Sequence, residues 1–305
     1  MSLPSSLPSS APFALPAPAV SSLVARLRAA GCVFAEDEAE LLLTTARTPS
    51  DLTAMADRRI AGQPLEHVLG WAGFCGRRMA VDPGVFVPRR RTEFLVHQAA
   101  ALARAVPRRR PVVVDLCCGT GAVGAALAAA LAPEPGSPAT REPDSPQAGH
   151  GIELHAADIE PAAVRCARRN IPPATGQVYE GDLYAPLPTA LRGRVDILVV
   201  NAPYVPTDAI GLLPSEARDH EPRVALDGGT DGLDVQRRVA ADAYQWLAPG
   251  GHLLIETSER QAPQTLATFR RHGLAPRLAT DDDLCATVAI GTRPKAAGPA
   301  GHRPC

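Results

Sequence analysis

Lysine is almost absent. Lys295 is the only one, and every other basic side chain besides histidine is arginine. With 31 prolines and 25 glycines, this is the composition of a GC-rich coding sequence and says nothing by itself about function. Net charge is also lacking. The formal value is −1, which removes any global electrostatic case for binding nucleic acid or an anionic membrane. No apolar run approaches the roughly 18 residues a spanning helix requires. Cys-x-x-Cys pairs are missing too. The seven cysteines, at 32, 75, 117, 118, 166, 285 and 305, are scattered and odd in number, so no metal site is expected. Reduced thiols in the cytoplasm suit them best. The first 20 residues, MSLPSSLPSSAPFALPAPAV, lack both a basic start and an unbroken apolar stretch, which argues against a signal helix and predicts a flexible tail.

What remains is the composition of a globular protein, with 46% hydrophobic and 21% charged residues in a length that suits about two domains. Residues 21–70 carry three stretches of helical periodicity and predict a small helical domain, its first helix capped at Ser21 or Ser22 and ended by Gly31. Residues 71–91 are punctuated by glycine and predict a β-hairpin linker with its turn at Pro83-Gly84. From 92 to 293 short apolar strands alternate with helices, the signature of a parallel α/β sheet. The stretch 133–151, rich in Pro, Gly and Ser, predicts a disordered insertion, and 294–305 a second tail. The arginine runs 89–91 and 108–110 read as solvated faces.

Between a strand and a helix stands DLCCGTGAVG, residues 115–124. Glycine lets a ligand approach the backbone closely, and Gly119, Gly121 and Gly124 form a G-x-G-x-x-G that alone would equally suit a dinucleotide. Asp115 tilts the choice. A carboxylate there repels a pyrophosphate but can receive the ammonium of an amino-acid-bearing cofactor. Asp158, at the next strand's tip, can accept both hydroxyls of a ribose. Asp182 and Leu183, after the third strand, can face an adenine's amine and ring. Each acid singly is an ordinary cap or turn residue. All of them at the carboxyl edge of one sheet, where open α/β sheets bind ligands, point to S-adenosylmethionine. Cys117, Cys118, Gly119, Thr120 and Gly121 would line its loop.

The fourth strand, DILVVN, runs into Asn201-Ala202-Pro203-Tyr204. This resembles the Asn-Pro-Pro-Tyr turn of the glutamine-specific protein methyltransferases of the HemK/PrmC family. The blocks at 58–96, 221–234 and 247–261 are similar to that family as well. The resemblance implies a Rossmann-like class I methyltransferase domain. It implies S-adenosylmethionine as cofactor and the Gln of the GGQ loop in class I peptide release factors as substrate. It also implies a helical domain that recognises this protein partner. In that reading the Asn201 side-chain oxygen and Ala202 carbonyl accept the two N–H bonds of the target amide. Pro203 stiffens the turn and Tyr204 walls the planar group. A monomer that binds neither membrane nor nucleic acid directly is expected.

Three departures mark the chain. Ala202 replaces a proline, Cys117-Cys118 replace Gly-Thr, and Arg90-Arg91 replace the Pro-acid pair of a Pro-Arg-Pro-acid-Thr-Glu segment whose Thr92 and Glu93 are kept. A nucleic-acid amino methyltransferase acting on adenine N6 or cytosine N4 shares the Asn-x-Pro-Tyr logic, and a non-catalytic cofactor-binding relic would retain the same loop.

Overall fold

The computed structural model describes residues 16–106, 110–132 and 151–295. The rest of the expected tails and insertion, with Arg108 and Arg109, lies outside the described residues.

The N-terminal unit is four helices. The first, α1 (Ala17–Ala29), starts earlier than expected. Pro16 and Pro18 open it, because proline's fixed φ suits a first turn that needs no N–H. The Ser21 hydroxyl turns back to the Ala17 carbonyl at 3.1 Å instead of capping. In α3 (Pro49–Ile60), Thr48 accepts from the Asp51 N–H and is the cap. With α2 (Ala35–Thr45) and α4 (Leu65–Leu69), these helices bury a cluster of their own around Leu27, Leu42, Leu52 and Val68. Arg59 crosses it, 8% exposed, and pairs with Glu38 at 2.6 Å.

A hairpin follows, β1 (Trp71–Phe74) and β2 (Arg77–Ala80). Its turn is Cys75-Gly76, not Pro83-Gly84. Both turn residues have positive φ, +48° and +69°, as the twist of a two-residue hairpin demands, and proline cannot take that φ.

The second unit then runs α5 (Glu93–Arg104), β3 (Val112–Leu116), α6 (Ala122–Ala130), β4 (Glu153–Asp158), α7 (Pro161–Asn170), β5 (Gly176–Glu180) and β6 (Val195–Val200). It continues through α8 (Ser215–His220), α9 (Asp234–Trp246), β7 (Leu247–Thr257), α10 (Ala262–Arg271), β8 (Ala275–Asp281) and β9 (Ala286–Thr292). Seven strands form one sheet in the order β5-β4-β3-β6-β7-β9-β8. The pairs from β5 through β7 are parallel, while β9 is antiparallel to both its neighbours. The sheet is thus mostly parallel, as the alternation of strands and helices predicts, with β9 its one antiparallel strand; β8 has no counterpart in that pattern. Its residues alternate between exposed and half-buried, so it has no apolar run to read.

Strand side chains alternate between two cores. Val113, Ile197, Val199 and Leu254 pack with α5 and α6, and Val114, Leu198, Val200 and Ile255 pack with α9. Burying each such side chain contributes about 1.5–3 kcal/mol. This doubly covered sheet fixes its carboxyl edge. There β3 lies between β4 and β6, so the chain leaves in opposite directions and a crevice opens. Among the described residues no helix is long and apolar enough to cross a membrane.

Candidate active site

The crevice is a cleft of about 1080 Å³, its open mouth included. Its floor is the loop after β3: Cys117, Cys118, Gly119 and Thr120 all line it. Gly121 lies just behind. It has φ +73°, and a Cβ there would meet Ile171 Cδ1 at 2.9 Å, so only glycine lets α6 pack on α7. Gly119 has φ +54°, and a Cβ on it would meet no atom within 4 Å. Its bare backbone faces open space, which is the form of a ligand cradle.

Asp115, Asp158 and Asp182 all line this cleft, together with Leu183. Asp158, the last residue of β4, accepts the Gly119 N–H at 2.8 Å and the Glu160 N–H at 2.9 Å. Burial pushes its pKa up against the pull of these donors. Asp115 is 2% exposed and accepts the Gly124 N–H at 2.9 Å. Burial foremost, with Asp158 nearby, raises its pKa to about 7. Asp182 stands two residues beyond β5, and Arg238 of α9 donates to it at 2.5 Å. That carboxylate is therefore not free for an adenine amine, contrary to what its position after the third strand predicts, and Arg238, which no sequence pattern marks, also lines the cleft. Leu183 is held at φ +49° beside it. Burial raises the pKa of both Cys117 and Cys118, so they stand in the loop as neutral thiols.

On the other side of β3 stands the turn after β6. Asn201 and Pro203 line the same cleft as the acids. The Asn201 Nδ2 donates to the buried Thr92 hydroxyl over a long 3.4 Å, which leaves Oδ1 as the amide's acceptor. Ala202 is 1% exposed. A strap over residues 226–234 holds this turn. Val205 N–H donates to the Leu226 carbonyl at 3.0 Å, and Gly228 N–H to the Val205 carbonyl at 2.8 Å. A Cβ on Gly228 would stand 2.7 Å from the Pro203 carbonyl oxygen, so glycine is what lets the strap close. This packing fixes the turn although Ala202 lacks a proline ring.

The arginine run 89–91 is corrected by the structure. It is not merely solvated: Arg89 donates to Glu221 at 2.5 Å, and Arg91 bridges Tyr204 and Glu256. Glu221 also accepts the Val87 N–H at 3.1 Å. That carboxylate fastens together the two lips of the cleft, Val85–Pro88 and Pro222–Ala225, and neither lip was read as part of the site.

No protein-family model matches the chain. Curated relatives do. A release factor glutamine methyltransferase from Streptomyces coelicolor is 37% identical over 207 residues, 68% of this chain and 67% of the relative. One from Geobacter sulfurreducens is 34% identical over 253 residues, 80% and 79% of the two chains. The chain belongs to the release factor glutamine methyltransferase family.

It is accordingly an S-adenosylmethionine-dependent methyltransferase with the Rossmann-like class I fold. A third relative acts on a different kind of acceptor. The 4-amino-L-phenylalanine/4-methylamino-L-phenylalanine methyltransferase of Streptomyces pristinaespiralis is 38% identical over 239 residues, covering 76% of this chain and 74% of its own. The cleft suits the cofactor of the family. Its glycine cradle is open, and its carboxylates are acceptors matched to a cation with hydroxyl and ammonium groups.

Proposed function

We propose that the protein methylates the side-chain amide nitrogen of a glutamine in a protein, the GGQ loop of a class I peptide release factor. The observation that carries this reading is the placement of Asn201 and Pro203, after β6, in one cleft with Asp115 and Gly119 of the adjacent β3 and its loop and with Asp158 of β4.

S-adenosylmethionine, when bound, supplies an electrophilic methyl group. Asp158 and the Gly119 backbone would hold its ribose, Asp115 its ammonium, and Leu183 its adenine face. The protein's remaining task is the acceptor. A carboxamide nitrogen is a poor nucleophile, because its lone pair is shared with the carbonyl. Two acceptors, Asn201 Oδ1 and the Ala202 carbonyl, orient the N–H bonds and favour the positive charge that develops on nitrogen. Pro203 aims that carbonyl, and Tyr204 walls the planar group. Orientation in a site shielded from water provides most of the rate. No strong base is needed, since the methylated amide nitrogen is strongly acidic and gives up its proton readily, to solvent as the product leaves. The helical unit at 21–70 would dock the protein substrate.

Asn201→Ala and Asp158→Ala separate the two halves. Asn201→Ala should remove methyl transfer to release factor and leave S-adenosylhomocysteine affinity intact by calorimetry. Asp158→Ala should weaken that affinity. Near-normal turnover by Asn201→Ala would refute the acceptor site. The Streptomyces pristinaespiralis relative supports a second reading, a free aromatic amino acid as acceptor. Methylation of 4-amino-L-phenylalanine, with none of release factor, would select it.

A further inference from the structure

We propose that Arg91 is the positioning residue of the acceptor wall, pinning Tyr204 by its hydroxyl to a buried carboxylate. This rests on the acceptor role of the 201–204 turn.

Three elements meet at this guanidinium. Its Nη2 donates to the Tyr204 hydroxyl oxygen at 2.5 Å and its Nε to Glu256 Oε1 at 3.1 Å. The Arg91 side chain is 42% exposed while that of Glu256 is 3% exposed, so the arginine reaches inward from the surface to a carboxylate in β7. The second oxygen of Glu256 is buried with no hydrogen-bond partner, so Arg91 is the charge that offsets it. Tyr204 is held at its other end too, where its carbonyl accepts from Gln261 Nε2 at 3.0 Å. With backbone and hydroxyl both tied, the ring keeps one orientation.

The neighbouring residue extends the device. Thr92 accepts from Asn201, so the dipeptide Arg91-Thr92 touches the first and last residues of the acceptor turn. Arginine suits the task because its planar fork serves two acceptors in fixed directions, as a compact ammonium cannot. A carboxylate at position 91, as in the pattern this chain otherwise resembles, could neither donate to the Tyr204 hydroxyl oxygen nor offset Glu256.

The test is a double-mutant cycle with Arg91→Gln, Arg91→Lys and Tyr204→Phe, assayed on release factor with labelled S-adenosylmethionine. Arg91→Gln should lower kcat roughly ten- to a hundredfold, with KM and S-adenosylhomocysteine affinity within about threefold. Arg91→Lys should fall between. In the Tyr204→Phe background, Arg91→Gln should add less than about twofold, because the hydroxyl it acts through is gone. An equal loss in both backgrounds, or cofactor affinity falling in step with kcat, overturns the proposal. A second readout needs no substrate. In protein labelled at tyrosine Cζ, the resonance lost in Tyr204→Phe belongs to Tyr204, one of four tyrosines. It must move in Arg91→Gln while the others hold. If that variant does not fold, Arg91→Lys, which retains a charge for Glu256, serves the same comparison. A stationary resonance refutes the pin. Inactivity of the unaltered protein on release factor would count against the proposed substrate instead.

Discussion

Gly232→Ala tests how the strap controls the acceptor turn. Gly232 has φ +77°, and a Cβ there would lie 2.2 Å from the Tyr204 carbonyl oxygen and 2.4 Å from Gln261 Nε2. Those two atoms are themselves hydrogen-bonded at 3.0 Å. Gly70, at the end of α4, has φ +78° and nothing within 4 Å of its own Cβ position. The two glycines share a positive φ and differ in what they face. Alanine in that conformation costs about 1–2 kcal/mol at either site. At Gly232 the Tyr204 carbonyl must also retreat by about 1 Å to reach ordinary contact. This adds about 1–3 kcal/mol for overpacking. A displacement of that size at the acceptor should cut kcat about a hundredfold. Urea unfolding would give the stability of each variant, and steady-state methylation with calorimetry of S-adenosylhomocysteine would give kcat and cofactor affinity. Gly70→Ala should lose only the backbone strain and retain kcat. Gly232→Ala should lose more stability and most of its kcat while binding the cofactor normally. Equal stability losses with unchanged kcat would refute the strap's role.

The buried Asp115 sets a pH dependence. Its carboxyl is held up at about 7, against about 3.9 in an unfolded chain. Below the lower value both states keep the proton. Between the two, the unfolded chain releases it and the native one retains it, so native stability falls as pH rises and levels off above about 7. Asp115→Asn should flatten that slope in urea midpoints measured from pH about 4 to 8. In the helical unit, Arg59→Met strands the buried Glu38 and should cost about 3–5 kcal/mol, and adding Glu38→Leu should restore most of it. Cys117 sits at φ +54°, a conformation natural to glycine. Cys117→Gly should raise stability by about 0.5–1 kcal/mol after glycine's greater unfolded-state freedom is counted, and a fall in the melting midpoint would contradict the strain.

Local patterns in the sequence located what local chemistry determines. The strands β3, β4 and β6 are short, largely apolar runs with an Asp or Asn at or beside their carboxyl ends, and the glycine loop lies between one of them and a helix, so cleft and acceptor turn could be placed on one sheet edge. What escaped was non-local or half-exposed. Arg91 meets residues 113 and 165 positions away, and Arg238 meets Asp182 across 56, separations at which no spacing rule operates. Read as a run, arginines 89–91 look solvated, because the buried acids that claim two of them are distant in the chain. The cleft lips at 85–88 and 222–225 carry ordinary Val, Pro and Ala, and only the fold brings them together. Strand β8 has neither an apolar run nor a buried face, and its pairing with β9 is what makes it a strand. The hairpin turn was drawn to Pro83-Gly84 by composition, whereas backbone twist selected Cys75-Gly76.

The most direct test of the account is methyl transfer from labelled S-adenosylmethionine to purified class I release factor, with the labelled residue located by peptide mass spectrometry. The account predicts a single methyl group on the side-chain nitrogen of the GGQ glutamine, absent when Asn201→Ala replaces the enzyme. Label on another residue, or none from a protein that binds the cofactor, would contradict it.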